Sequence, residues 1–236
     1  MRYPPAISQL SQERRPPQLE DFYVDPGMGA DAVKAAVEIG DPVTMDRTFE
    51  RLGDSYVSKA MDDRVGLFIM IEALRTLRSN QATIHAVATV QEEVGHTPGA
   101  AASGSALQPT VAIAVDSANA RDVPGAGGEH TQTRLGGGAG LKIRDMGAIS
   151  HPKLVAHSRA IATREGIPYQ LEINPLGATD ASGVQLLLGG VPVMTLSIPT
   201  RYVHSVNEMV SASDVQACID LLAHYLEEAH MGDYTL

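Results

Sequence analysis

Two kinds of apolar pattern alternate along the chain from about residue 44 to the C-terminus. Apolar residues at helical spacing predict helices, and short continuous apolar runs rich in β-branched residues predict buried strands. The predicted helices cover residues 65–77, 98–107, 152–165, 180–190 and 214–228, and the predicted strands cover residues 83–90, 110–116, 168–173 and 191–199. Ser213 and Gln216 predict a capping box at the start of the last helix.

This alternation of strands and helices predicts an α/β fold. Because the strands are continuously apolar, we expect a mixed, largely parallel sheet with helices on both faces, formed by residues 44–236. Residues 1–43 contain two Pro-Pro pairs and only weak alternation. They are predicted to be an extended or partly β segment that is not a complete domain.

Composition and charge narrow the classes of function. Of the 236 residues, 44% are apolar, and 28 acidic against 18 basic residues give a net charge of −10, which argues against binding to nucleic acid or an anionic membrane. The sequence contains no apolar run of signal-peptide or membrane-spanning character, so we expect a cytoplasmic protein. The single cysteine, Cys218, lies on an apolar helical stripe and is predicted to be a core residue. Histidine nitrogens and carboxylate oxygens are therefore the candidate metal ligands.

Acidic and histidine residues occupy positions where α/β folds gather their active sites, just beyond the carboxyl ends of the strands. They are Asp62 and Asp63 before the first long helix, Glu92 and Glu93 after the strand 83–90, Asp116 at the end of the strand 110–116, and His204 beyond the strand 191–199.

Each of these residues also has an ordinary structural interpretation. An aspartate before a helix is a typical cap, an acidic pair after a strand is typical of a solvated turn, and a single loop histidine is commonly a surface residue. Together at one edge of a sheet, however, they are costly unless a cation neutralises them. A two-metal hydrolase needs this set, with one carboxylate bridging two ions, further carboxylate and imidazole ligands, and a free carboxylate as base.

Five motifs in this sequence resemble, in the same order, those of the glutamyl-aminopeptidase and tetrahedral (TET) aminopeptidase family. The motifs are KAMDDRVG (59–66), TVQEEVG (89–95), AIAVD (112–116), NPLGATDASG (174–183) and SIPTRYVHSVNEMV (197–210). The resemblance implies a zinc-peptidase-like fold. It also implies that residues 1–43 are the remnant of a PDZ-like β domain that the family inserts for assembly.

The resemblance assigns roles to the polar residues. It implies that Asp62 bridges two ions, that Glu92 is the general base, that Glu93 and His204 bind one ion, and that Asp116 binds the other. Thr179, Asp180 and Arg201 resemble residues around the substrate pocket, whereas Asp63 matches no metal ligand and fits a capping or supporting role.

The chain departs from the family at one metal ligand. Members carry an earlier histidine that binds the same ion as Asp116, and we expect this histidine, together with the opening strands of the domain, to be absent here. We hypothesise that His96 compensates, with His130 and His151 as weaker candidates. Missing opening strands are also expected to leave an unpaired sheet edge or an exposed apolar face.

The implied function is a metal-dependent aminopeptidase that removes N-terminal residues from peptides with a water activated by two zinc or cobalt ions. One ion per subunit is the alternative for this chain. A catalytically weak or inactive binding or assembly protein is the alternative function, and glycoside hydrolysis by paired carboxylates is a third class. The expected partners are peptide substrates and further copies of the chain in a homo-oligomer of open size.

Overall fold

The computed structural model describes residues 22–125 and 133–235. They fall into two compact units, with the boundary between Thr44 and Met45. The described part of the first unit contains one helix, α1 (Ala30–Ala36). The origin of residues 1–43 as a domain remnant stays a prediction, and the two Pro-Pro pairs and His130 lie outside the described residues.

The second unit contains a mixed sheet and its covering helices. The elements are β1 (Glu50–Leu52), β2 (Ser55–Ser58), α2 (Met61–Thr76), α3 (Pro98–Leu107), β3 (Ala112–Asn119), β4 (Ala139–Arg144), α4 (Pro152–Glu165), β5 (Tyr169–Ile173), α5 (Ala181–Val184), a 3₁₀ turn (Leu187–Gly189), β6 (Val193–Arg201), β7 (Glu208–Ser211), α6 (Ala212–Glu228) and a second 3₁₀ turn (Ala229–Met231). None of the helices in the described ranges is both long and apolar enough to cross a membrane.

Strand β6 lies in the interior of the sheet and pairs with three other strands. One of its edges pairs in parallel with β3 over eight residues, and its other edge pairs antiparallel with β4 and then with β7. Beyond β4 the sheet continues with the parallel strand β5. Beyond β7 it continues with the antiparallel strands β2 and β1. The predicted mixed α/β sheet is confirmed, with parallel pairing confined to β3–β6 and β4–β5.

Helices cover both faces of the sheet, and successive residues of β6 show this. Met194, Leu196 and Ile198 join a core cluster with residues of α2, α4 and α6, whereas Val193 joins a second cluster with residues of α3 and α5. Because side chains alternate across a strand, these two clusters lie on opposite faces. Cys218 of α6 is fully buried in the first cluster, as predicted, and burial raises the pKa of its thiol.

Two predicted elements differ from the structure. Residues 83–90 are not a strand, because a strand needs a ladder partner and no described strand pairs with that segment or with the outer edge of β3. The helix predicted over residues 180–190 is reduced to α5 and a 3₁₀ turn.

The predicted capping box is wrong as well. Helix α6 begins after Ser211, the Ser213 hydroxyl pairs with that of Ser211, and Gln216 donates to Asp220. Four strands not predicted from the pattern, β1, β2, β4 and β7, are short or contain glycine and charged residues.

An apolar surface accompanies the open edge of β3. Six consecutive residues of β3, from residue 112 to 117, are only half-buried although the strand lies between covering helices. Leu67, Phe68 and Ile71 of α2 are exposed by 40–50%. The expected unpaired edge and exposed apolar face are both present among the described residues.

The buried carboxylate of Asp214 holds the glycine-containing segment 136–138 against helix α6. Asp214 on α6 is fully buried and accepts hydrogen bonds from Gly136 N at 2.7 Å and from Gly138 N at 2.8 Å. Burial raises the pKa of this carboxyl group, and the two backbone donors partly offset the cost.

We expect Asp214→Asn to lower the free energy of unfolding by about 1–3 kcal/mol, since an amide NH₂ would face a buried backbone N–H. Urea unfolding measures this loss. Asp54→Asn is the matched control because the Asp54 side chain is fully exposed, and it should change stability by less than about 0.5 kcal/mol. Equal unfolding midpoints for the two variants would contradict the expectation.

Candidate metal centre

Two adjacent aspartates lie in the irregular first turn of helix α2. Ala60 has a left-handed φ of 52°, Asp62 and Asp63 have non-helical backbone angles, and the peptide bond between them is cis. Asp63 Oδ1 accepts a hydrogen bond from Gly66 N at 3.2 Å, so it caps the regular part of the helix. A Cβ at position 66 would lie 2.2 Å from Asp63 Oδ2, which explains the glycine there.

Two further acids come from a compact turn that follows residues 83–90. Gln91, Gly95 and His96 of this turn all have left-handed backbone angles. Within it, Glu92 is half-buried and Glu93 is exposed. Adjacent positions in such a turn present their side chains differently, so one acid can serve as a ligand and the other as a base.

Asp116 lies within β3, which continues beyond the predicted end at this residue to Asn119, and His204 follows the end of β6. Asp116 of β3 lies opposite Ser197 of β6, and its Oδ1 accepts a hydrogen bond from Ser117 N at 2.6 Å. Beyond β6 the chain turns sharply, with left-handed backbone angles at Tyr202 and His204. The turn brings the His204 imidazole back over the sheet edge.

The first cluster joins three predicted ligands. His204 Nε2 lies 3.2 Å from Asp62 Oδ2 and 3.1 Å from Glu93 Oε2. One ligand atom from each of these residues lies within 4.8 Å of the others. Two carboxylates and one imidazole at such separations can hold a divalent ion.

The second cluster shares Asp62 with the first. It consists of Asp62, Asp63 and Asp116, again with one oxygen from each within 4.8 Å of the others. A carboxylate common to two ligand sets is positioned to bridge two ions. The sequence interpretation gave Asp63 no metal ligand role, and the only signal for one was its place beside Asp62.

Crowding raises the affinity of these carboxylates for protons. The pKa of Asp62 is raised by burial and then by the charge of Glu93. The pKa values of Asp63 and Asp116 are raised well above their usual range, by burial first and then by neighbouring aspartates. A bound cation would reverse this balance by favouring the charged forms.

Glu92 lies outside both clusters and has a distinct electrostatic setting. Burial raises its pKa from 4.5 to about 7, and the charges of Glu93, Asp180 and Asp62 add to the effect in that order. A carboxyl group with a pKa near neutrality can both accept and return a proton under ordinary conditions.

The three predicted pocket residues have different surroundings. The Thr179 hydroxyl is buried between Asp145 Oδ2, at 3.2 Å, and the Thr195 hydroxyl, at 2.8 Å. Arg201 binds both carboxylate oxygens of Asp122, at 2.6 and 2.7 Å, and so ties the end of β6 to the segment after β3.

Asp180 is the pocket candidate that lies near the predicted base. Its Oδ2 accepts a hydrogen bond from the Thr89 hydroxyl at 2.5 Å, while its buried Oδ1 has no hydrogen-bond partner among the described residues. Its charge contributes to the raised pKa of Glu92. Contact of any of the three residues with substrate stays a prediction.

Neither described cluster includes the compensating histidines that were hypothesised. His96 lies exposed in the turn after Glu93. His151 precedes α4, and its two buried ring nitrogens have no hydrogen-bond partner in the described part of the chain. Burial, and then the charge of Lys153, lowers the pKa of His151. Asp63 occupies the second cluster instead.

Comparison with known proteins identifies relatives of this chain. Residues 2–221 match the M42 glutamyl aminopeptidase family. An aminopeptidase from the archaeon Desulfurococcus kamchatkensis is 39% identical and superposes with a TM-score of 0.88, over 96% of this chain and 63% of that one. The lysyl aminopeptidase of Pyrococcus furiosus is 36% identical over 220 residues, which are 92% of this chain and 62% of the relative.

A more distant structure shows the same fold. The TET1 peptidase of Pyrococcus horikoshii, which can assemble into a tetrahedron or a large octahedral shell, is 27% identical with a TM-score of 0.75, over 91% of this chain and 67% of that one. The chain spans 62–63% of the length of three curated relatives that it matches. The family match over almost the whole chain confirms the resemblance seen in the motifs, and the chain belongs to the M42 glutamyl aminopeptidase family.

Proposed function

We propose that this chain carries the catalytic residues of a metal-dependent aminopeptidase acting on peptides with a free N-terminus. The observation that supports this most is the pair of ligand clusters that share Asp62. A two-metal hydrolase requires two ligand sets that share a carboxylate, whereas an acidic pair with a structural role requires neither set.

The ligand types fit divalent transition metals. Asp62, Glu93 and His204 supply oxygen and imidazole nitrogen, which suit zinc or cobalt. The second cluster supplies oxygen only, with Asp63 in place of an imidazole. We propose two ions per chain, with Asp62 as the shared ligand.

Glu92 performs the proton transfers. Divalent ions at these clusters would polarise the scissile carbonyl and acidify water. Glu92, whose pKa of about 7 lies far above its ordinary value, accepts the proton of the attacking water and delivers it to the departing amine. Its half-buried position shields the transferred proton from bulk solvent.

Assembly follows from the relatives by analogy. The TET1 peptidase of Pyrococcus horikoshii can assemble into a tetrahedron or a large octahedral shell. We propose that this chain also associates with further copies of itself, in a homo-oligomer whose size is open. We also propose a cytoplasmic location, as expected in the sequence analysis.

We expect Glu92→Gln to lower kcat/KM on aminoacyl-p-nitroanilides by about 10²- to 10⁴-fold, because the amide cannot carry a proton. Metal content, measured by mass spectrometry, should stay the same. Glu38→Gln, at an exposed position in the first unit, is the control with unchanged turnover. N-acetylated substrates should not be cleaved. Absence of both metal and turnover in the wild-type chain would favour a binding or assembly protein instead.

We expect substitutions in the two clusters to lower the metal content by different amounts. The wild-type chain should hold two zinc or cobalt ions, Asp62→Asn should lose both, and Asp63→Asn should lose one, since only Asp62 belongs to both clusters. His96→Ala is the control, because His96 lies outside the described clusters. One ion in both the wild type and Asp63→Asn would contradict the second site, and loss of an ion in His96→Ala would restore the histidine hypothesis.

We expect the metal-free chain to lose stability as pH rises from 4.5 to about 7. In this window the folded protein keeps the proton on Glu92 while the unfolded chain has released it, so the folded state binds more protons and rising pH favours unfolding. Urea unfolding on either side of the window measures the fall, and Glu92→Gln should make it shallower. Parallel pH profiles for the variant and the wild type would contradict this assignment.

A further inference from the structure

We propose that Glu208 is a positioning residue of the metal centre, because its one carboxylate holds the backbones of two metal ligands in place. The inference rests on the proposed metal-dependent function. Glu208 belongs to neither of the two described clusters. It acts through Asp62 and His204.

The contacts of Glu208 are specific to each carboxylate oxygen. Oε1 accepts a hydrogen bond from His204 N at 2.6 Å, and Oε2 accepts one from Asp62 N at 3.0 Å. The side chains of these two residues then meet, with His204 Nε2 at 3.2 Å from Asp62 Oδ2. Backbone and side-chain contacts therefore link Glu208, Asp62 and His204 in a closed ring.

Asp62 and His204 both lie in segments with an irregular backbone conformation. His204 has a left-handed φ of 64°, an unfavourable angle for a residue with a Cβ. Asp62 precedes the regular turns of α2, so its N–H has no partner within the helix. A charged acceptor on each N–H stabilises the conformation that presents the ligand side chain.

Glu208 itself is held rigidly. It is the first residue of β7, it lies opposite Ser58 of β2 in the sheet, and it is only 2% exposed. A side chain anchored in a sheet can fix the two loops more closely than either loop can fix the other. Two ligands that are distant in sequence thereby share one rigid support.

A purely structural role would predict a different outcome, and the chain offers a matched comparison. Asp214 is also a buried carboxylate that accepts two backbone N–H groups, but its donors, Gly136 and Gly138, are not metal ligands. Loss of either carboxylate should reduce stability. Only the loss of Glu208 should weaken metal binding.

The test is a titration of the metal-free full chain with Zn²⁺, following binding by calorimetry and the rise in melting temperature. We expect Glu208→Gln to weaken the tighter Zn²⁺ site about 10- to 100-fold, as is typical for residues that orient metal ligands. Asp214→Asn should bind Zn²⁺ as the wild type does. The melting shift caused by Zn²⁺ is compared within each variant, so differences in basal stability cancel.

The outcomes separate this inference from the proposed function. If the wild-type chain binds Zn²⁺ and Glu208→Gln binds it equally well, the positioning role is wrong while the metal centre stands. If the wild-type chain does not bind Zn²⁺, the proposed function itself fails. Should Glu208→Gln not fold, Glu208→Asp, which keeps the charge but is one methylene shorter, replaces it. Wild-type affinity in that variant would equally overturn the inference.

Discussion

Repulsion among half-buried carboxylates governs the organisation of this sheet edge. Asp62, Asp63, Asp116 and Glu92 each bind a proton more tightly than an ordinary carboxyl group does, through burial first and neighbouring negative charge second. Such a cluster persists in a fold only when something compensates for it. Divalent cations do so most completely, and the same cations supply the chemistry that an aminopeptidase requires.

The fold brings these groups together by a simple route. The parallel pair β3–β6 carries Asp116 within β3, opposite Ser197, and the end of β6 leads into the turn that carries His204. Helix α2 starts at the same edge with its two aspartates. Glu208 then connects two of these three segments from within the sheet. Asp116 thus lies on a strand and Asp62 and Asp63 lie at the start of a helix. Glu92, Glu93 and His204 lie on turns.

Much of this site could be predicted because its residues lie in short motifs with recognisable chemistry. Asp62, Glu93 and His204 converge as the motifs imply, and Asp116 joins Asp62. The capping role of Asp63 was expected, but its place in the second cluster was not, because local sequence does not show which other acids a capping carboxylate approaches. Glu208 was missed because its value depends on backbone groups far away in sequence. Residues 83–90 were predicted to be a strand from their β propensity. A strand also requires a pairing partner, and the described residues provide none.

The outer edge of β3 has a consequence for behaviour in solution. Its backbone donors and acceptors have no ladder partner among the described residues, and such a row is a template for any extended polypeptide. The exposed side chains of Leu67, Phe68 and Ile71 add an apolar surface on α2. A net charge of −10, with carboxylates gathered at the carboxyl end of this strand, opposes the approach of a second acidic chain. Self-association in solution therefore depends on the balance between strand addition at this edge and repulsion between negatively charged chains. Salt or bound cations weaken the repulsion and so favour association.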